Sequence, residues 1–250
     1  MKAKKMIINM MGMLSLVFLA LSFNGCSKDD TSVSPLVTND AASKAALIDY
    51  TLTDLFDAAS LSLIDSLPND LISQDEKDAL TYMREEELLA HDVYLVLSQL
   101  YTKPIFRNIT KSEAVHAEAI RALLDKYQLA DPALNHVAGV FNNPDLQSLY
   151  TLLASKGSAS LIEGLIVGAT IEDLDISDLK TRLSGIDNAD IILVLENLER
   201  GSRNHLRSFF ANILLYNGTY VPQFISQEEF DSIITTPYET GTATGNCIWI

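Results

Sequence analysis

An acid and an imidazole stand three residues apart in a stretch with the composition of a helix. Glu113 and His116 lie within residues 112–124, which contain four alanines and neither Gly nor Pro. At 3.6 residues per turn, both fall on the apolar stripe that would face a core. A buried carboxylate needs a partner or a metal, and Glu-x-x-His can place both side chains on one metal ion. Because this motif also occurs by chance, the prediction depends on the rest of the chain.

Three further helical stretches carry acids or a histidine on an otherwise apolar stripe. Glu87 lies on the first long stretch, Glu172 and Asp175 on the third, and His205 on the fourth. One such helix is easily obtained by chance, whereas four in succession are not. These side chains are therefore expected to converge between the helices.

The order of these residues favours a site for two metals. The four helices carry, in order, an acid, an acid-x-x-His motif, an acid and a His. This order resembles the two-metal carboxylate bundles, in which two helices each provide one Glu and the other two each provide Glu-x-x-His. Carboxylate with imidazole suits iron or manganese, and zinc is an alternative. We predict two metal ions, with iron as the first choice. The predicted metal ligands are Glu87, Glu113, His116, Glu172, His205 and Asp175.

Other acids and histidines fall off the stripes and are predicted to lie outside the site. His91 is at the edge of its stripe, and His136 lies in a loop without a partner at helical spacing. The acids predicted to be solvated are Glu85, Glu86, Glu196 and Glu199.

Caps and breakers mark the helices that must position the site. Ser73 and Glu76 have the spacing of a capping box, and the helix that follows ends near Leu100. A short helix after Pro144 would carry the chain back along the others. The fold is therefore predicted to be all-α, with four long helices and a long crossover between helices two and three. Helices after the first are predicted over 110–128, 144–157, 160–184, 188–217 and 227–234, and a weakly amphipathic one precedes them over 41–66.

Several stretches resemble known families. Glu87-Leu-Leu-Ala90-His-Asp-Val-Tyr94 resembles the first-helix motif of rubrerythrins. The sequence resembles an uncharacterised bacterial and archaeal family of ferritin-like domains more closely than it resembles rubrerythrins. The resemblance covers roughly residues 74–230 and implies a ferritin-like four-helix bundle, but it implies no activity. The similar stretches are Met83–Glu87, Phe106–Ile109, Ser112–His116, Val167–Ile176 and Arg200–Arg207.

One position departs from the rubrerythrin pattern. Ser202 stands three residues before His205, where that pattern has Glu. Asp175, one turn after Glu172, is the residue that could compensate from the neighbouring helix. An asymmetric site, or one tightly bound metal, is the alternative. The four-cysteine rubredoxin-like module is also absent, so electrons would have to come from an external donor.

The N-terminus has the layout of a secretory signal. Lysines precede an apolar run over residues 6–23, and Gly25 stands directly before Cys26. This junction resembles a bacterial lipoprotein cleavage site, which implies lipid on Cys26. Phe23 is unusual at the first position of such a site, where leucine is commoner. A retained membrane anchor is the alternative.

Charge and cysteine content exclude several classes of function. The net charge is −15, and loss of residues 1–25 would remove three lysines and no acid, which gives −18. Nucleic acid as a partner is disfavoured because it needs a basic surface. The negative charge would attract cations to the surface. The alternative is that it only keeps the protein soluble through repulsion between molecules. With Cys26 lipidated, Cys247 is left alone, so neither an internal disulfide nor a cysteine-rich metal site is predicted.

Two functions from different classes follow. The first is a di-iron or di-manganese centre with oxidase- or peroxidase-type chemistry, which would make the chain a metal-dependent oxidoreductase. The second is an interaction module of the cell envelope whose bundle is a scaffold. In both, a lipid would anchor the chain to the outer membrane, facing the periplasm or the cell surface. The predicted segments are a signal peptide over 1–25, a tether over 26–40, a pre-helix over 41–72, a ferritin-like domain over 73–230 and an irregular tail over 231–250.

Overall fold

The computed structural model describes residues 64 and 66–240 of the chain. The predicted signal peptide, tether and most of the pre-helix lie outside the described residues. Between residues 66 and 240 the structure is helical, with no β-strand beyond an isolated bridge between Val137 and Val140. The predicted all-α class is confirmed. The helices are α1 Gln74–Leu100, α2 Pro104–Lys126, α3 Pro144–Gly157, α4 Leu161–Leu183, α5 Ala189–Leu215 and α6 Gln227–Thr235.

The start of α1 is the predicted capping box. The Ser73 hydroxyl accepts a hydrogen bond from the Glu76 backbone N–H at 3.2 Å, and the Glu76 carboxylate accepts one from the Ser73 backbone N–H at 2.8 Å. Two backbone donors that the helix leaves unpaired are thereby satisfied. The same carboxylate also accepts the backbone N–H of Asn188 at 3.0 Å, which ties the start of α1 to the start of α5.

The predicted start of α2 at Thr110 is wrong. The helix begins at Pro104, directly after Lys103, which has extended backbone angles. Proline at the first helical position lacks only an N–H that would have no partner in the helix, and its fixed φ suits the helix. Pro104 therefore starts α2, and the link from α1 is reduced to residues 101–103.

The long helices contact one another in a closed order. Helix α1 packs along α2 and α4 along α5, while α1 also touches α4, and α2 touches α5. Tyr94, late in α1, bonds Gly168, early in α4, whereas Tyr82, early in α1, stacks on Arg182, late in α4. Helices α1 and α4 are therefore antiparallel. Because the short link also makes α2 antiparallel to α1, residues 127–160 must run back along the helices, and α3 lies against α1 and α4.

The apolar stripes meet in a core beside the predicted site. Burial of each large aliphatic side chain contributes about 1.5–3 kcal/mol relative to its exposure. One cluster joins residues from four helices and the segment before α1: Ile64, Leu80, Met83, Ala119, Ile120, Leu123, Leu124, Leu179, Ile191, Val194, Leu195 and Leu198.

Gly168 allows α4 and α5 to approach closely above the site. A Cβ on this residue would lie 2.2 Å from Cε1 of Phe209. The Phe209 ring therefore fills the space that a side chain would take. It is fully buried, and its centroid lies 5.3 Å from that of Tyr94 and 6.1 Å from that of Phe106.

The segment after α5 folds back over the long helices. The buried Asp173 of α4 accepts hydrogen bonds from the Tyr220 hydroxyl and from the backbone N–H of Ile225, each at 2.8 Å. Further on, Glu239 pairs with Arg203 at 2.6 Å and with Arg207 at 3.0 Å. Helix α6 ends at Thr235, close to the end of the predicted helix over 227–234, and the ion pairs of Glu239 hold the residues that follow it against α5. Within the described part, no helix combines the length and apolar character that a membrane span requires.

Candidate metal centre

Five of the predicted ligands meet at mid-length between α1, α2, α4 and α5. Each helix places its polar residue in an apolar row, so the side chains are withdrawn from solvent with their neighbours. Their exposed fractions are 1% for Glu87, 2% for Glu113, 2% for His116, 1% for Glu172 and 3% for His205.

Glu113 lies at the middle of the arrangement. Its Oε2 is 2.8 Å from Nδ1 of His116, one turn along the same helix, and its Oε1 is 2.9 Å from Nδ1 of His205 on α5. A carboxylate whose two oxygens face two different imidazoles has the geometry of a bridging ligand.

One further carboxylate completes a group of three around each histidine. Oε2 of Glu87 is 3.3 Å from Nδ1 of His116, and Oε2 of Glu172 is 3.4 Å from Nδ1 of His205. In each group the potential ligand atoms lie within 4.8 Å of one another. The two groups share Glu113, and the imidazole rings stack with centroids 5.6 Å apart.

The three glutamates differ in electrostatic environment. Burial, together with the neighbouring Glu113 charge, raises the pKa of Glu172 to about 7, and burial likewise raises the pKa of Glu87 to about 7. Burial also acts on Glu113, but the charges of His205 and His116 outweigh it and lower its pKa to about 2. Glu113 is therefore the carboxylate that stays ionised, as expected for the residue facing both histidines.

Two neighbours orient the ligands from outside. The Ser112 hydroxyl lies 2.9 Å from Nε2 of His205, so the opposite nitrogen of that ring faces the acids. The Tyr94 hydroxyl donates hydrogen bonds to Glu172 and, at 3.3 Å, to the carbonyl of Gly168. Sequence reasoning did not single out Ser112, although it directly precedes Glu113.

Asp175 lies beside the centre but outside both groups of three. Its side chain is 6% exposed, and its Oδ2 accepts a hydrogen bond from Ser202. The serine that stands where the rubrerythrin pattern has Glu thus faces the acid predicted to compensate for it. Asp175 is placed to support the centre, and its assignment as a ligand stays a prediction.

The prediction that Glu85 and Glu86 are solvated is wrong. They are 5% and 4% exposed, because the segment after α2 and helices α3 and α4 cover the face of α1 that carries them. Glu85 accepts the backbone N–H groups of Asn142 and Asn143 at 2.6 and 3.1 Å. Of the other two acids, Glu196 is exposed as predicted, whereas Glu199 is half-buried against an arginine of its own helix.

His91 and His136 lie outside the centre, in agreement with the prediction, but they share a partner that was not foreseen. Asp92, 1% exposed, is 2.8 Å from His91 Nδ1 and 2.8 Å from His136 Nε2. Among the described residues, these three do not form a group with the spacing of metal ligands. They join α1 to the loop before α3.

The donor set fits a pair of transition-metal ions. Glu87 Oε1 is buried, and none of the described residues donates a hydrogen bond to it. Buried polar atoms of this kind call for an ion, a water or a proton. Carboxylate oxygens with imidazole nitrogens are ligands for iron, manganese and zinc.

Comparison with known proteins identifies the family. Residues 76–237 match the family described as "Uncharacterized protein domain (DUF2202)". The chain belongs to this family. The DUF2202 match spans α1 to α6 and contains every residue of the candidate centre.

A curated archaeal relative is similar over nearly its whole length. The uncharacterized protein MJ0754 of Methanocaldococcus jannaschii is 49% identical over 181 residues, which is 72% of this chain and 98% of that protein. The crystal structure of hypothetical protein MJ0754 is similar with a TM-score of 0.68 and 48% identity, and the match covers 69% of this chain and 99% of the other. The predicted membership in an uncharacterised family with archaeal members is confirmed, and the ferritin-like assignment stays a prediction.

Proposed function

We propose that this DUF2202 chain is a ferritin-like metal-binding protein with a di-iron or di-manganese carboxylate centre. The observation that carries the proposal is the position of Glu113, whose two oxygens face Nδ1 of His116 and Nδ1 of His205 at 2.8 and 2.9 Å. Among the described residues, Asp92 also lies between two histidines, but Glu113 is the carboxylate that belongs to two groups with the spacing of metal ligands.

The residues of the chain divide the work of holding two ions. Glu113 would bridge, Glu87 and His116 would complete one site, and Glu172 and His205 the other. Ligation through Nδ1 puts the imidazole proton on Nε2, where it donates to the Ser112 hydroxyl in the case of His205. Such outer hydrogen bonds fix the ring orientation of metal-binding histidines.

The arrangement of helices supports the ferritin-like assignment. Four long helices of 23 to 27 residues pack in a closed order, and residues 127–160 run back along them between the second and the third. A long connection at this point is the crossover found in ferritin-like bundles. The ligands come from the middle of each long helix, as in two-metal carboxylate proteins.

Redox chemistry is the activity that this donor set would serve. Bound iron or manganese supplies Lewis acidity and one-electron redox chemistry toward O2 or peroxide. The buried ligands exclude bulk water, and Tyr94 holds Glu172 in place through its hydroxyl. Electrons would come from an external donor, because the chain has only two cysteines and no iron–sulfur module can be built from them.

A scaffold without metal is the second candidate function. It is supported by the same contacts, because Glu113 already pairs with both histidines and these ion pairs neutralise part of the buried charge. In that case the bundle would be an interaction module of the cell envelope. Anchoring through lipid on Cys26 is proposed for both functions, and Cys26 lies outside the described residues.

Metal content distinguishes the two functions. Protein covering residues 27–250 is purified without chelator, offered Fe(II), Mn(II) and Zn(II) separately, and measured by elemental analysis. We expect about two equivalents of at least one metal. The metal proposal is falsified if every metal stays below about a tenth of an equivalent, since a closed carboxylate–histidine site should hold at least one ion.

Glu113→Gln tests the shared ligand. It should remove one or both ions and lower the stability of the metal-loaded protein, because bound metal contributes to the free energy of folding by mass action. Glu118→Gln is the matched control, since Glu118 lies on the same helix with its side chain 44% exposed. Chelation should erase most of the stability difference caused by Glu113→Gln. An equal loss of stability with and without chelator would support the scaffold.

A further inference from the structure

Glu86 is a buried acid for which the proposed centre gives no role. It is 4% exposed, and neither side-chain oxygen has a hydrogen-bond partner among the described residues. Oδ1 of Asp175 is also buried and likewise has no hydrogen-bond partner among these residues. An ionised carboxylate without donors is strongly disfavoured in an interior, so these oxygens require a positive charge or a proton.

The charged neighbours of Glu86 form a continuous set between α1 and α4. They are Asp178 and Asp175 on α4, the guanidinium of Arg182, and Glu87 of the candidate centre. Asp175 follows Glu172 by three residues and Asp178 follows Asp175 by three, so neighbouring acids of α4 form a row that shifts by about 60° around the helix at each step. This row leads away from the candidate centre.

Exposure increases along the row. Asp175 and Glu86 are buried, whereas Asp178, Tyr82 and Arg182 are half-buried. The Tyr82 hydroxyl is hydrogen-bonded to Asp178, and the Arg182 guanidinium lies 3.9 Å from the centroid of the Tyr82 ring. The outer end of the row therefore reaches solvent beneath a stacked arginine, and the inner end reaches Glu87.

We propose that Glu86, Asp175 and Asp178 form an uptake site for divalent transition-metal cations on their way to the candidate centre. The inference rests on the proposed function, because an uptake site needs a destination. Asp178 would meet the hydrated cation at the surface, and the unpartnered oxygens of Glu86 and Asp175 would replace part of its water shell. Arg182 balances the acids when no cation is present, and its stacked position on Tyr82 leaves the oxygens of Glu86 open.

A proton is the alternative occupant. Burial next to other acids raises the pKa of both Glu86 and Asp175, so neutral carboxyl groups would also relieve the buried charge. The two alternatives differ in what Glu86 does for metal binding. Neutral core acids have no effect on the rate at which metal reaches the centre, whereas an uptake site controls that rate.

Cobalt loading tests the proposal. Metal-free protein is mixed with Co(II) in a stopped-flow instrument, the visible absorption of bound Co(II) is followed, and final stoichiometry is measured by elemental analysis. Glu86→Gln and Asp178→Asn should each slow loading about tenfold, the low end of the range for electrostatic attraction of a charged ligand. Both should reach the wild-type number of Co(II) ions per chain. Glu196→Gln, on the exposed face of α5, removes the same charge and should load at the wild-type rate.

Each outcome decides a different point. Loading of Glu86→Gln and Asp178→Asn at the wild-type rate would overturn the uptake site. Loss of one Co(II) equivalent in Glu86→Gln would also overturn it, since Glu86 would then be a ligand of the centre itself. If wild-type protein binds no Co(II), Fe(II), Mn(II) or Zn(II), the proposed function itself is overturned. That failure is seen in the final metal stoichiometry, whereas failure of the uptake site is seen in the loading rate of the variants. Circular dichroism checks the fold, and if Glu86→Gln is unfolded, the half-buried Asp178→Asn decides the result.

Discussion

Gly168→Ala would place a methyl group where the Phe209 ring already lies. The new Cβ would be 2.2, 2.4 and 2.5 Å from three ring atoms, all closer than real Cβ contacts. The ring cannot move aside cheaply, because it is fully buried and packs against Tyr94 and Phe106. The substitution therefore forces α4 and α5 apart next to the candidate centre.

Two opposing effects set the size of the change. Replacing glycine by alanine within a helix gains about 1 kcal/mol of helix propensity. Overpacking of a filled core costs about 1–3 kcal/mol, and a clash with three atoms of an immobile ring belongs at the upper end. We expect a net loss of about 1–2 kcal/mol in the free energy of unfolding, which corresponds to a fall in Tm of about 2–8 °C for a domain of this size.

Urea and thermal unfolding of the metal-free protein measure this loss. Gly185→Ala is the matched control, because its nearest neighbours would lie 3.8 Å from the new Cβ, an ordinary contact distance. This control should change stability by less than about 0.5 kcal/mol. Equal or greater stability of Gly168→Ala would refute the packing argument, and so would an equal loss in Gly185→Ala.

Three further predictions concern the anchor, a buried acid and the C-terminal segment. Cys26→Ser should release the protein from the membrane fraction or leave it unprocessed, and recovery at the mature mass in the outer membrane would contradict lipidation. Glu85→Ala should lower the free energy of unfolding by about 1–3 kcal/mol in urea titrations, since two backbone N–H groups lose their acceptor, whereas Glu196→Ala should change it by less than about 0.5 kcal/mol. Burial raises the pKa of Glu239, but the two arginines of α5 outweigh this and keep it below its usual 4.5. Its stabilising effect is therefore complete above that pH and disappears as the pH falls through the folded pKa, so Glu239→Gln should destabilise at neutral pH and flatten the acid side of a Tm–pH profile.

The candidate centre could be predicted because its residues obey helical periodicity. Glu87, Glu113, His116, Glu172 and His205 all occupy positions that a 3.6-residue repeat assigns to the core, and all are at most 3% exposed. The capping box at Ser73 was predictable for a similar reason, because its bonds join residues three apart in the chain. Information that is local in sequence is sufficient for both features.

Periodicity failed where a helix is covered on more than one side. Every residue from Met83 to Ala90 is buried, so this part of α1 has no solvated face for Glu85 and Glu86 to occupy. The sequence contained a signal of this, since Leu88 and Leu89 are apolar although they lie off the predicted stripe. A helix that is apolar around much of its circumference is buried on those sides.

Contacts between distant segments could not be predicted from spacing. His136 is 44 residues from Asp92, and Ser112 is 93 residues from His205. Each pair depends on how the loop before α3 and helices α2 and α5 are placed by packing of the whole domain. The partners of Glu86 on α4 are separated in the same way, which is why its environment became clear only from the folded chain.

The ligands are divided unequally between the two helical hairpins. Glu87, Glu113 and His116 all lie between residues 74 and 126, so one group of three is complete within the α1–α2 hairpin. The second group needs Glu172 and His205 and therefore requires that the α4–α5 hairpin has docked. During synthesis from the N-terminus, the chain thus carries a full set of potential ligands for one ion before the second half of the domain has been translated, whereas the second site can form only after α5 has been made.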